Sequence, residues 1–151
     1  MHRRPAIRLL VLLALLLTAA SAGAALSPEL DRALRDSKYV YVQSERKSGE
    51  LGRPAEIWFF YDGKAVYVGT RPTSWRVRRA KAGRRRARVA VGKVDGPAFD
   101  ATAEVVHDPA IQKELLAAYP KKYPDGWSRF ADEFRKGFET GDRVLVRYTP
   151  R

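Results

Sequence analysis

Between Ile57 and Gly69 two dense apolar runs, Ile57-Trp58-Phe59-Phe60-Tyr61 and Ala65-Val66-Tyr67-Val68-Gly69, flank an Asp62-Gly63 pair. Aromatic and β-branched residues at this density favour extended chain, and Asp-Gly supplies the backbone freedom a tight hairpin needs. The stretch predicts an antiparallel hairpin, and one this apolar must be buried in a larger sheet. Four more segments supply that sheet: Tyr39 to Gln43, Arg85 to Val91, Phe99 to Val105 and Arg143 to Thr149. Turns are expected at Ser48–Gly52 and Asp95-Gly96, and the alternation in the second and third segments buries one face and wets the other. Six antiparallel strands in so short a chain need to curl into a barrel to limit exposed edges.

Helices flank this β framework. Ser27-Pro28-Glu29 opens one by N-cap, proline and acid, running to about Arg35. Thr73 or Ser74 caps a second through about Ala82, which Gly83 ends. Asp108-Pro109 begins a third with Ile111, Leu115, Leu116 and Tyr119 on one side. After breaks at Pro120 and Pro124, the residues Trp127, Phe130, Ala131, Phe134 and Phe138 recur at amphipathic spacing. The expected fold class is therefore mainly β with flanking helices (α+β).

The N-terminus sets the compartment. Arg3, Arg4 and Arg8 surround the start of an unbroken apolar run, Leu9–Leu17, and Ala20-Ser21-Ala22 and Ala22-Gly23-Ala24 follow as small-residue exits. That is the pattern of a secretory signal peptide over residues 1–25, with one domain at 26–151. A permanent anchor is the competing reading, but the run is shorter than the ~20 residues a spanning helix needs. Arg3-Arg4 also raises export of folded protein by a twin-arginine route. Pro5 and the greasy run favour ordinary unfolded export to the periplasm or the outside. Removal of 1–25 leaves 26 basic and 17 acidic side chains, a net charge of +9. The chain has no cysteine, which excludes disulfides, thiol catalysis and thiolate metal sites.

The densest candidate chemistry lies in Thr70-Arg71-Pro72-Thr73-Ser74-Trp75-Arg76-Val77-Arg78-Arg79. Free N–H groups at a helix start suit a phosphate, Ser74 adds a hydroxyl, and Arg76 and Arg79, three apart, share a face. A capped surface helix with solvated arginines explains the same residues, and spacing alone leaves the choice open. Eight cations fall between Arg76 and Arg88. They can serve anionic surfaces or ligands, or Arg86 and Arg88 can pair across strands with Asp100, Thr102 and Glu104. Export sets cellular nucleic acid aside as a partner. His107, the one histidine of the 26–151 domain, has no metal-ligating companion and reads as a strand-end residue. Glu56 reads as an outward strand residue, and Asp125, Asp132 and Glu133 as helix surface. No metal site and no dedicated catalytic residue emerges.

Gly52-Arg53-Pro54, Ile57 to Gly63, Val66-Tyr67-Val68-Gly69-Thr70, Ser74-Trp75-Arg76, Ala87 to Val91 and Ala103 to Pro109 together resemble the flavin-binding split-barrel family that includes pyridoxamine phosphate oxidase. The likeness spans about Lys38 to Tyr148. It implies a six-stranded split barrel, a homodimer with the cofactor between subunits, and FMN or a deazaflavin relative as that cofactor. It makes Ser74 and Arg76 phosphate contacts and Arg79 a second anchor. It sets Trp58 along the isoalloxazine and Thr70 near the ribityl chain, with Trp75 beside the phosphate. The implied activity is oxidation or reduction of a small molecule. The other reading is a non-enzymatic exported module that uses its basic face.

Overall fold

The computed structural model describes residues 23–151. The basic start, the apolar run and the first small-residue exit lie outside them. In chain order the elements are α1 (Pro28–Asp36), β1 (Tyr39–Ser44), β2 (Ala55–Trp58), β3 (Phe60–Tyr61), β4 (Val66–Thr70), α2 (Trp75–Lys81), β5 (Arg86–Val91), β6 (Ala98–Val106), α3 (Pro109–Lys122), α4 (Pro124–Thr140) and β7 (Val144–Pro150).

All strand pairs are antiparallel, in the order β2-β1-β5-β6-β7-β4-β3. The two outermost strands are consecutive pieces of one segment. Trp58 ends β2 against Tyr39 of β1, Phe60 starts β3 against Tyr67 of β4, and only Phe59 separates them. One segment thus joins both edges, and the sheet curls into a nearly closed, split barrel. The expected single strand at 57–61 is therefore two, and the sheet has seven strands rather than six. The physical reason is barrel geometry: one straight strand cannot pair with both edges at once, so the chain changes partner at Phe59.

Phe59 is wholly buried at this seam, and burying such a side chain contributes roughly 1.5–3 kcal/mol. Its backbone groups cannot join either ladder. The Phe59 N–H instead donates to Tyr123 Oη at 3.0 Å, and Lys122 Nζ donates to the Phe59 carbonyl oxygen at 3.0 Å. Tyr123 Oη in turn donates to the Lys38 carbonyl at 2.7 Å. The junction of α3 and α4 closes the barrel.

Strand alternation sorts two cores. Val40, Val42, Val66, Val68, Val89, Val146 and Tyr148 point inward, and Leu34 of α1 with Val77 and Ala80 of α2 complete the interior cluster. Tyr67 and Leu145 point outward, where α3 and α4 cover them with Leu115, Tyr119, Tyr123, Trp127, Phe134 and Phe138. β4 is consequently buried along its whole length. Pro120 does not end α3, which runs on to Lys122. Proline there removes only its own N–H bond in the last turn, and Tyr123 N–H still reaches the Tyr119 carbonyl at 2.8 Å.

The hairpin turn is centred on Gly63-Lys64, with Gly63 at φ +90° and Asp62 N–H closing onto the Ala65 carbonyl. Glycine at the first central position suits a type II′ turn. Asp62 Oδ1 accepts from Lys64 N–H and Ala65 N–H, both at 2.8 Å.

Candidate functional site

β4 delivers Thr70, buried at its last position, into a short turn that starts α2 at Trp75. Ser74 holds the N-cap position, yet its hydroxyl makes no capping bond. Its Oγ is buried and without a hydrogen-bond partner. A buried hydroxyl left so costs stability unless something else supplies a partner. α2 buries Val77 and Ala80 and turns Trp75 and Arg78 outward. Trp75 is 66% exposed, with the Arg78 guanidinium 4.9 Å and that of Arg79 5.5 Å from its ring centre.

Arg76 and Arg79 do share a face, both half-buried. Arg79 is engaged: its Nη1 donates to the Ser44 carbonyl at 3.2 Å, passing Gly52. A Cβ at Gly52 would lie 2.9 Å from that nitrogen, so glycine leaves its path open. Arg76 makes no ion pair among the described residues. Its charge instead acts on Tyr148, a fully buried residue whose Oη has no hydrogen-bond partner. Burial pushes the Tyr148 phenol up to about 12, with the Arg76 charge and the facing Ser44 hydroxyl pulling the other way. Arg84, just beyond α2, has a buried Nε that is also unpartnered.

The structure sets Ser74, Trp75, Arg76 and Arg79 on or beside α2, with Thr70 four residues before Ser74, and brings near them Ser44 and Tyr148, which the sequence reading did not single out. Tyr148 reads as an ordinary inward strand residue, and only its polar tip, lacking a local partner, could have flagged it. Trp58 lies elsewhere. Its ring stacks on Tyr123 at 4.1 Å and 3°, packs edge-on to Tyr119 and Phe130, and covers Gly126. These contacts place it in the helix-covered core, with no α2 residue among its ring partners.

Neither of the two best-defined cavities is lined by Ser74, Arg76 or Arg79. One of about 530 Å³ lies between Arg71–Thr73 and α4, where Glu133 bridges Arg143 at 2.8 Å and Arg71 at 3.8 Å. A larger, more enclosed one of about 1190 Å³ runs along the outer face of β4, β7 and β6, beside Gly23–Leu26. There Arg147 bridges Glu104 at 2.6 Å, and this charged bond holds the Glu104 carboxyl below its ordinary range. Arg85 approaches the same carboxylate at 3.5 Å. Register sets Arg86 opposite Thr102 and Arg88 opposite Asp100, but Glu104 takes Arg147 and Arg85, and the Arg86 guanidinium donates to the Gly49 carbonyl. Glu56 is exposed and accepts from Tyr41 Oη at 2.5 Å, and His107 is exposed beyond the end of β6.

The family described as an uncharacterized protein conserved in bacteria, DUF2255, matches residues 29–137. The chain belongs to that family. No curated protein matches its sequence. Among solved structures, it is similar to a conserved hypothetical protein from Mycobacterium tuberculosis at 16% identity, with 87% of this chain and 84% of that one covered and a TM-score of 0.62. It is similar to a general stress protein 26 relative of the pyridoxinephosphate oxidase family from Clostridium acetobutylicum (20% identity, 81% of each chain, TM-score 0.57). An F420 reductase shares 17% identity over 80% of this chain and 92% of its own, at a TM-score of 0.52. These likenesses establish the split-barrel fold expected from the motif series.

Proposed function

We propose that this DUF2255 chain is an exported split-barrel protein that binds the phosphate of FMN, or of a deazaflavin relative, at the end of the barrel around Ser74 and Arg76. The observation that carries the reading is Ser74 Oγ, buried at the N-cap of α2 without a hydrogen-bond partner, with Arg76 two residues on making no ion pair among the described residues. Native interiors rarely leave such an atom unpaired, and a phosphate would supply acceptors to both groups. Charge agrees. Between Gly63 and Val94 the chain has eleven cations and no acid.

The residues present fit the group in part. Ser74 and Arg76 would hold the phosphate, and Thr70 lies four residues before Ser74 in the chain. Arg79 orients the loop at Ser44 before it offers its remaining N–H groups. Trp58, held between helices, supports the β2 backbone and not an exposed ring stack. A bound flavin would supply hydride or electron transfer, and the protein's part is to orient it and exclude water. The neighbours named for pyridoxinephosphate oxidase and F420 reductase chemistry support an oxidoreductase reading, with a homodimer bringing two such corners together.

The experiment is direct. The 26–151 domain is titrated with FMN and with a deazaflavin, following absorbance and flavin fluorescence. Uptake by the parent and at least tenfold weaker uptake by Arg76→Ala is the expected result, since a charged hydrogen bond contributes roughly 1.5–3 kcal/mol. A domain that takes up neither ligand overturns the reading. Export is tested separately, by fractionating cells that make the full chain and identifying the mature N-terminus.

A further inference from the structure

We infer that the outward face of α2, with the first half of β5, is a docking surface for anionic phospholipid headgroups. Trp75, Arg78, Lys81, Arg85, Arg86 and Arg88 are all exposed. Arg78, Lys81 and Arg88 make no ion pair among the described residues. The opposite face of α2 seats Val77 and Ala80 in the barrel, so the helix cannot turn its charges inward.

Trp75 distinguishes this patch from an ordinary solvated charge run. It is the most exposed large apolar side chain among the described residues, at 66%. The Arg78 guanidinium lies 4.9 Å from its ring centre, holding cation and indole together at one spot. An amphipathic indole beside arginines suits the boundary between headgroup and acyl chain, where the ring inserts and the guanidinium meets phosphate.

Neither of the two cavities described above is lined by any of these six residues, so the patch is read as a surface. Nucleic acid is a poorer fit, because single strands are gripped by series of stacking aromatics in a groove, and here one exposed ring stands alone. This inference does not rest on flavin binding, since the cations it uses are not those assigned to the phosphate.

The test is co-sedimentation of the 26–151 domain with vesicles of phosphatidylcholine alone or with phosphatidylglycerol added. Binding is expected only with phosphatidylglycerol, and it should fall at least tenfold between ~0.05 M and ~0.5 M salt. Arg78→Glu with Lys81→Glu and Arg88→Glu should abolish it, while Arg78→Lys with Arg88→Lys keeps it. Tryptophan emission should shift to the blue on vesicles, and Trp75→Phe should remove that shift. Equal sedimentation with both vesicle types overturns the proposal. So does Trp75 emission that stays water-like on bound vesicles, or tighter retention by duplex DNA or a sulfated polysaccharide than by vesicles.

Discussion

Tyr123 Oη accepts the Phe59 N–H at 3.0 Å across 64 residues of sequence, and by this bond the α3–α4 junction holds the barrel shut. The same hydroxyl donates to the Lys38 carbonyl. One turn earlier Tyr119 is equally buried, but its hydroxyl has no partner. Removing the two hydroxyls should therefore have opposite consequences. Tyr123→Phe leaves a buried N–H and a carbonyl unmet and should destabilise by about 1–3 kcal/mol, whereas Tyr119→Phe should be neutral or stabilising. Urea unfolding of the two variants checks both signs.

Lys122 gives stability a pH dependence. Burial pulls its ammonium down to about 7, and the charged form gains a carbonyl and the Phe59 ring, 3.2 Å from Nζ to centroid, but no carboxylate. The unfolded chain keeps that proton to the ordinary lysine value of 10.5, so between about pH 7 and pH 10 the unfolded state binds more protons than the folded one. The Lys122 contribution therefore rises with pH in this window. Above it, the Tyr61 and Tyr67 phenols, raised to about 12 chiefly by burial, reverse the slope, since they ionise first when unfolded. Urea midpoints across the window should climb in the parent and lose that climb in Lys122→Met.

Gly69 lets α4 lie against β4. A Cβ there would fall 2.8 Å from Phe134 Cε1 and 3.1 Å from Phe138 Cζ, both on buried rings with little room to retreat. Gly69→Ala should destabilise by about 1–3 kcal/mol through overpacking, read as a lower thermal midpoint.

Ser74 separates structure from binding. Its hydroxyl stabilises nothing visible in the unliganded chain, so Ser74→Ala should leave the urea midpoint unchanged or raise it. The same substitution should weaken FMN uptake. A variant less stable without ligand would show that Ser74 Oγ has a structural partner.

Much of the fold is legible locally. Period-two alternation in β5 and β6, Asp108 as an N-cap whose Oδ1 accepts from Ile111 N–H, and the apolar stripe of α4 all follow from neighbouring residues. The break at Phe59 is not legible, because an unbroken apolar run contains no signal for a change of partner, and the groups that satisfy it come from Lys122 and Tyr123. Pro120 misleads for a related reason: its cost depends on its place in the helix, and the last turn tolerates it. At the candidate site, Ser74, Arg76 and Arg79 come together because they lie within one turn and a half of α2. Tyr148 and Ser44 were hidden because only the closed barrel brings β1 and β7 to that helix. That Trp58 packs against α3 and α4 was not legible, because strand position alone does not say which outward face a helix will cover.

The partner change at Phe59 also bears on how the chain acquires its shape. The Phe59 N–H and carbonyl meet their partners only when the segment carrying Lys122 and Tyr123 has docked, so sealing of this seam waits on the α3–α4 junction. Trp58, stacked on that same tyrosine, is a built-in reporter of the event. A refolding trace followed by its emission should lag behind the backbone signal of strand formation.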